Sequence, residues 1–227
     1  STLFRRYFSK RGRTPSKPAW GRGFTLVELL VVSAITLIIT TFVLFQQTKF
    51  NSATLLRSLT YSVALSVRQA QVYGTSVREF SPGSGIFAQG YGLHVPAGST
   101  NQYYIFSDNN NNGAYDVGEE LPVFTISSGY SISKLCATLS GGATQHCTSG
   151  TPTTITTLTA YFRRPNPDAC IATNQAPGAC ATGASAVYST AYIQLRSSGN
   201  ADTRSIKVTS TGQIAVCAPN VTDLTTC

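Results

Sequence analysis

The chain has 227 residues, with 17 Lys and Arg against nine Asp and Glu, six Cys and no Met. That length suits one globular domain with accessory segments, and the formal charge of +8 invites a nucleic-acid partner. The distribution argues against one: Arg5, Arg6, Lys10, Arg11, Arg13, Lys17 and Arg22 all lie in residues 1–23, leaving ten basic and nine acidic residues, a net +1, for residues 24–227. A chain so nearly neutral beyond residue 23 lacks the clustered cations that phosphate contacts require.

Residues 1–23 read as a basic leader without a fold of its own, because Gly12, Pro15 and Pro18 interrupt it. The absence of Met leads us to expect that the initiator was removed or the sequence trimmed. Phe24 to Phe45 then form a 22-residue apolar run with one charge, Glu28. As a helix it would reach about 33 Å, the thickness of a bilayer core. Lys and Arg ahead of a first span hold that side in the cytoplasm, so the C-terminal part is expected outside it. A carboxylate in such a span costs roughly 2.5–3.5 kcal/mol at the helix centre, which marks Glu28 as a functional residue rather than a snorkelling one. Arg5 to Lys10 also resemble a twin-arginine export signal. No small-residue cleavage site follows promptly, and the run exceeds a signal-peptide core. An uncleaved anchor without further role stays open.

Gly23-Phe24-Thr25-Leu26-Val27-Glu28-Leu29-Leu30, after a short basic segment, resembles the N-terminus of the type IV pilin and type II secretion pseudopilin family. The resemblance implies that a prepilin peptidase cuts between Gly23 and Phe24 and N-methylates the new Phe24 amine. It implies that Glu28 neutralises the amine of a neighbouring subunit inside a filament. An amine and a carboxylate buried together are tolerable, whereas each alone is costly. The partners implied are the peptidase, other pilin or pseudopilin subunits, an inner-membrane assembly platform and membrane lipid. The implied location is a single pass through the cytoplasmic (inner) membrane with the head outside, followed by a pilus or pseudopilus.

The helical pattern does not stop at Phe45. From Gln46 to Tyr73 there is no Pro or Gly, and Leu55, Leu56, Leu59, Val63, Val67 and Ala70 recur at helical spacing, with Gly74 as the expected stop. The organisation expected is therefore a leader at 1–23, a long helix at 24–74 (24–45 spanning the membrane, 46–74 amphipathic) and a head at 75–227. The stretch Leu59–Gly74, with its Leu/Ala face and its Arg68-Gln69-Ala70 turn, resembles the minor H-type pseudopilin subgroup and its pilus counterparts. Arg204-Ser205-Ile206-Lys207-Val208 before Thr211-Gly212-Gln213-Ile214 resembles the closing hairpin of that subgroup.

Beyond Gly74 the chain breaks into short β-like runs: 77–80, 85–95, 102–106, 121–127, 130–135, 154–162, 186–195, 204–209 and 213–217. Their close spacing predicts antiparallel sheets packed on the amphipathic half of the helix, an α+β fold of the pilin type. Residues 138–156 and 166–186 are rich in Thr, Gly, Ala and Ser and read as surface loops. Cys136, Cys147, Cys170, Cys180, Cys217 and Cys227 all follow the apolar run, so they read as a disulfide framework of an exported region. Fifteen connectivities exist for six cysteines; the spacing favours 136 with 147, 170 with 180 and 217 with 227. Zinc at His146 and Cys147 lacks any accompanying ligand spacing.

Residues 108–119, Asp-Asn-Asn-Asn-Asn-Gly-Ala-Tyr-Asp-Val-Gly-Glu, fit the calcium-loop pattern D-x-[DN]-x-[DN]-G-x5-E. Asp108, Asn110 and Asn112 present oxygens at alternate positions, Gly113 allows the sharp turn, and Ala114 offers its carbonyl. Asp116 can act directly or through water, and Glu119 can close the shell. Oxygen donors alone favour Ca²⁺ over transition metals. The competing reading is a solvated hairpin turning at Asn112-Gly113. No organic cofactor and no catalytic constellation are expected: His94 and His146 read as ordinary surface or loop residues, and Tyr61, Tyr73, Tyr103 and Tyr104 as packing between helix and sheet. The function expected is a non-enzymatic minor pilin or pseudopilin subunit. The alternatives are a DNA-uptake pilin that binds DNA through its head, or an anchored exported domain with no filament role.

Overall fold

A threonine starts the first element. The Glu28 amide donates to Thr25 Oγ1 at 3.2 Å and the Leu29 amide to the Thr25 carbonyl at 3.1 Å, so Thr25 is the N-cap of a helix whose third residue is Glu28. The helix α1 therefore runs Leu26–Thr75 and begins two residues after the apolar run does. The computed structural model describes residues 23–227 except 81, 82, 86, 89, 99, 128, 143, 150–153, 182–185, 198, 200, 201 and 222, with the side chains at 46, 48–50, 122 and 225 also set aside. Of the leader expected at 1–23, residues 1–22 lie outside the described residues.

Up to Gln46 the chain forms one unit, and Gln47–Cys227 forms another. In the first, Leu26–Phe45 is apolar and long enough to cross a membrane, and none of it is buried. Its hydroxyls are satisfied within the helix: Ser33 donates to the Leu30 carbonyl, Thr36 to that of Ser33, and Thr40 and Thr41 to that of Leu37. A span in hydrocarbon needs that internal pairing, since no water is there to accept the bonds.

The second unit is built on ten strands: β1 (Gly90–Val95), β2 (Gln102–Asp108), β3 (Glu120–Thr125), β4 (Ser131–Leu139), β5 (Gln145–Cys147), β6 (Leu158–Arg163), β7 (Ala169–Thr173), β8 (Tyr188–Arg196), β9 (Thr203–Thr209) and β10 (Ile214–Val216). They form two antiparallel sheets of five strands, in the orders β3-β2-β1-β6-β7 and β10-β9-β8-β4-β5. The arrangement is the expected α+β fold, consistent with the pilin fold. One face of each sheet meets the amphipathic half of α1 in a single core. Leu93, Ile105, Ala160 and Ile171 contribute from the first sheet, Leu135, Ile193 and Ile206 from the second, and Leu56, Val63, Val67 and Ala70 from the helix. Each such aliphatic side chain contributes about 1.5–3 kcal/mol by leaving water.

Each sheet carries a smaller core on its other face. Against the first sheet, Ala179 and Cys180 pack on Phe106, Tyr161 and Ala172, under a segment closed by the Cys170–Cys180 disulfide. Against the second, Leu224 packs on Cys136, Cys147 and Tyr192, in the C-terminal tail closed by Cys217–Cys227. The third disulfide, Cys136–Cys147, joins directly opposed residues of β4 and β5. The pairing is thus the local one that the spacing favours.

Several details differ from the sequence reading. The loops expected at 138–156 and 166–186 contain β5 and β7, whose strand character comes from pairing with β4 and β6 rather than from apolar alternation. The run at 77–80 makes one isolated bridge, Glu79 to Phe87, and the strand expected from Gly85 begins at Gly90. Leu55 is 51% exposed, because it sits a hundred degrees around the helix from Leu56 and only one of the two can face the core. Tyr61 is likewise exposed, whereas Tyr103 donates to or accepts from Ser66 at 3.1 Å and Tyr73 meets Tyr91 edge-on.

Gly74 does not end the helix, which continues through Thr75. Its role is close approach: a Cβ there would stand 2.4 Å from the Phe162 carbonyl oxygen of β6. Gly74→Ala is therefore expected to destabilise the protein by about 1–3 kcal/mol through overpacking, despite the better helix propensity of Ala. Thermal melting of the variant checks this, and an unchanged or raised midpoint would contradict it.

Candidate functional site

Two regions gather the residues singled out by sequence. The first is the start of the apolar helix. Gly23 and Phe24 precede the Thr25 cap, so the bond between them lies in non-helical backbone, and a Cβ on Gly23 would meet nothing within 4 Å. Phe24 is 80% exposed. Glu28 lies in the first helical turn, where the helix dipole favours a negative charge. The segment thus presents an accessible peptide bond, then a capped helix with one carboxylate a turn from the residue that cleavage would make N-terminal.

The second region is the connection between β2 and β3. Asp108 ends β2 and Glu119 immediately precedes β3, and the Ser107 amide donates to the Glu119 carbonyl at 3.0 Å, closing the neck. Both acids are buried. Asp108 Oδ1 accepts the Asn112 amide at 3.0 Å, while Oδ2 accepts the Gly113 amide at 2.9 Å and the Tyr161 hydroxyl at 2.7 Å. Glu119 accepts the Asn109 and Asp116 amides at 2.9 and 3.1 Å. Burial holds its carboxyl above the usual range, a shift that these amides oppose and the Asp108 charge reinforces. Burial and the bond to Asp108 together push the Tyr161 hydroxyl well up, so it stays a donor.

Farther out, Asp116 Oδ2 accepts the side-chain amides of Asn110 and Asn112 at 2.8 and 2.7 Å. Asn110 Oδ1 accepts the Asn112 amide, and Asn112 Oδ1 accepts that of Ala114. These turns pull the chain around Asn111 and Gly113, whose φ angles are 60° and 75°. Two amide NH₂ groups therefore converge on one carboxylate oxygen. Partial positive charge stands where a cation would be drawn, and a rotation of each amide about its last torsion would bring its oxygen to the same place. Among the described residues no three His, Cys, Asp or Glu side chains are grouped to share one ion; the donor set here depends on the asparagines and the Ala114 carbonyl. Asp108, Asn110, Asn112, Asp116 and Glu119 thus share one loop, with all-oxygen chemistry that suits Ca²⁺.

Long-range supports of this loop were not anticipated from sequence. Tyr161 reaches Asp108 from β6 across Gly90, where a Cβ would overlap the Tyr161 hydroxyl at 2.2 Å. Gly92 makes the same allowance for Phe106. Alternate glycines at Gly90 and Gly92 inside a strand are the signal that carried this information, since such positions mark close approach by another group. The Cys180 carbonyl abuts Gly113, where a Cβ would fall 2.1 Å from it. Tyr115 donates to Glu120, which lowers that carboxyl below its usual range, while burial and then the Glu120 bond raise the Tyr115 hydroxyl.

The histidines differ from expectation: both are strand residues. His146 is half-buried on β5. His94 is buried on β1, with Nδ1 2.8 Å from Thr159 Oγ1 and its ring stacked on Tyr115 at 4.4 Å. Burial lowers its pKa to about 4, against 6.5 in an exposed chain. Between those values the unfolded chain holds a proton that the folded one does not. Stability is therefore complete above about pH 6.5 and falls as pH drops toward 4, by a total of about 3 kcal/mol. Urea titrations across that range measure the slope, which His94→Gln is expected to reduce.

Residues 22–44 match a family model described as the prokaryotic N-terminal methylation motif. Comparisons with curated proteins and with solved structures find no match.

Proposed function

We propose that this chain, whose N-terminal methylation motif indicates the type IV pilin and pseudopilin family, is a minor structural subunit of a type IV pilus or a type II secretion pseudopilus. The observation that carries the reading is the coincidence of that motif with a capped, fully exposed apolar helix. Processing by a prepilin peptidase follows from the motif. Hydrolysis between Gly23 and Phe24 would remove all seven leader cations and leave one ammonium at Phe24, one turn from Glu28. N-methylation keeps that nitrogen basic.

In the bilayer the unpaired ammonium and carboxylate are each costly, and pairing the Phe24 amine of one subunit with Glu28 of the next relieves both. The apolar helices then pack in the filament interior while the disulfide-stapled heads remain outside the cytoplasm. Other pilins, the inner-membrane assembly platform and lipid are the partners, and the role is structural rather than catalytic. Mass spectrometry of the N-terminus of protein purified from membranes tests the reading: a methylated Phe24 is expected, and an intact leader would overturn it.

Within the same reading, the loop from Asp108 to Glu119 is a Ca²⁺ site. What supports it is the pattern of oxygen donors, together with two buried carboxylates and two amides already drawn to Asp116. Ligand at a hundred times its dissociation constant adds about 2.7 kcal/mol, or roughly 5–10 °C in melting temperature for a domain of this size. Melting in millimolar Ca²⁺ and in EDTA measures it. Equal midpoints in the two conditions would remove calcium from the account.

A further inference from the structure

Charge is segregated in the Gln47–Cys227 unit. Residues 47–78 hold Lys49, Arg57, Arg68 and Arg78 without an acid, whereas residues 79–133 hold Glu79, Asp108, Asp116, Glu119 and Glu120 without a base. Each segment also exposes apolar side chains. On α1, Tyr61 and Leu65 are 46% and 68% exposed on the side away from the core, and with Arg68 they form one wall of an open groove. The other wall is Gln213 with Ile214 and Val216 of the edge strand β10 that follows it, and the groove volume is about 660 Å³. Arg57 lies over the Tyr61 ring at the groove's rim. In the loop between β2 and β3, Val117 is 91% exposed at the tip, flanked by the exposed Asp116 and by Glu119 and Glu120.

We infer that the groove between α1 and β10 receives the Val117 loop of a second copy of this chain. The knob is a single branched aliphatic side chain with the Asp116 and Glu120 carboxylates near it in sequence, and the socket is apolar with the Arg68 and Arg57 guanidinium groups beside it. Asp108 and Glu119 are buried in the loop's own hydrogen bonds, so the charge offered to the socket is that of the exposed Asp116 and the half-buried Glu120. Charge complementarity of this kind selects register and orientation. Knob and socket are different surfaces, so within a filament the contact runs one way: each copy offers its knob to one neighbour and its socket to the next, and the contact repeats along an open assembly. The inference rests on the filament reading and sharpens it, since a chain able to engage itself this way can follow itself in a filament rather than occur singly.

Disulfide trapping tests it with the full-length chain in detergent and in membranes. Val117→Cys and Gln213→Cys are made in separate copies carrying different tags and then mixed under mild oxidation. The expected result is a mixed dimer joined between 117 and 213, reduced at least about tenfold by Arg68→Glu in the socket copy. Joining of 117 to 117, or of 213 to another protein of the filament, would overturn the assignment. So would the absence of any 117–213 product in material whose Phe24 is methylated and which still assembles. That last result would leave the filament reading standing; an intact leader would fell the reading itself.

Discussion

Glu28→Ala is expected to leave membrane insertion and cleavage at Gly23–Phe24 unchanged while lowering incorporation into filaments by at least about a hundredfold. Insertion depends on the apolar run from Leu26 to Phe45, which loses no apolar residue in the variant. Cleavage depends on a bond that lies before the helix cap, and the cap itself uses the Glu28 amide rather than its carboxylate. Assembly is different. Removing one member of a buried charge pair leaves the other uncompensated, at about 3–5 kcal/mol, and each 1.4 kcal/mol is a factor of ten in an equilibrium. The measurement is the ratio of filament-bound to membrane-bound protein, with Phe24 methylation followed in the same sample. Normal incorporation of the variant would show that Glu28 does not carry the pairing. Glu28→Gln separates charge from size: it preserves shape and hydrogen bonding but cannot neutralise an ammonium, so it is expected to fail nearly as badly.

What the sequence revealed depended on how local each feature is. Thr25, Glu28 and the apolar run are defined within a few turns of one helix, and the face of Leu56, Val63, Val67 and Ala70 repeats at the helical period, so both were legible. Leu55 was assigned to the same face although it adjoins Leu56. The loop from Asp108 to Glu119 was legible as a pattern because its own backbone supplies most of its bonds. Its supports were not. Tyr161 is 53 residues from Asp108, and the Cys180 carbonyl reaches Gly113 only because β7 pairs with β6 and turns back. The strands β5 and β7 were hidden for a related reason. Gln145-His146-Cys147 and Ala169–Thr173 have weak β character, and their extended form is imposed by the neighbouring strand and by the disulfide each contains. The cysteine spacing pointed to where the chain is stapled but not to the sheet face that each staple covers.

That distinction sets up a comparison between two disulfides. Cys170–Cys180 and Cys217–Cys227 each join residues ten apart. In the chain-entropy model their removal should cost the same, about 2.7 kcal/mol each. Their packing differs. The first holds Ala179 and Cys180 over Phe106 and Tyr161, and Tyr161 in turn donates to Asp108 at the neck of the loop between β2 and β3. The second holds Leu224 over Tyr192 on the other sheet, away from that loop. Replacing Cys170 and Cys180 together with Ala is therefore expected to cost more than the paired replacement of Cys217 and Cys227. It is also expected to speed amide exchange at Asn112 and Gly113, whose N–H groups bond to Asp108. The C-terminal variant should lower the melting temperature while leaving those two amides protected. Equal losses of stability with no change in exchange would mean that the 170–180 staple acts only on the unfolded chain. A selective loss of protection at Asn112 and Gly113 would show that it also holds the loop's carboxylates in place, and the rise in melting temperature expected from the proposed Ca²⁺ site should then shrink in that variant alone.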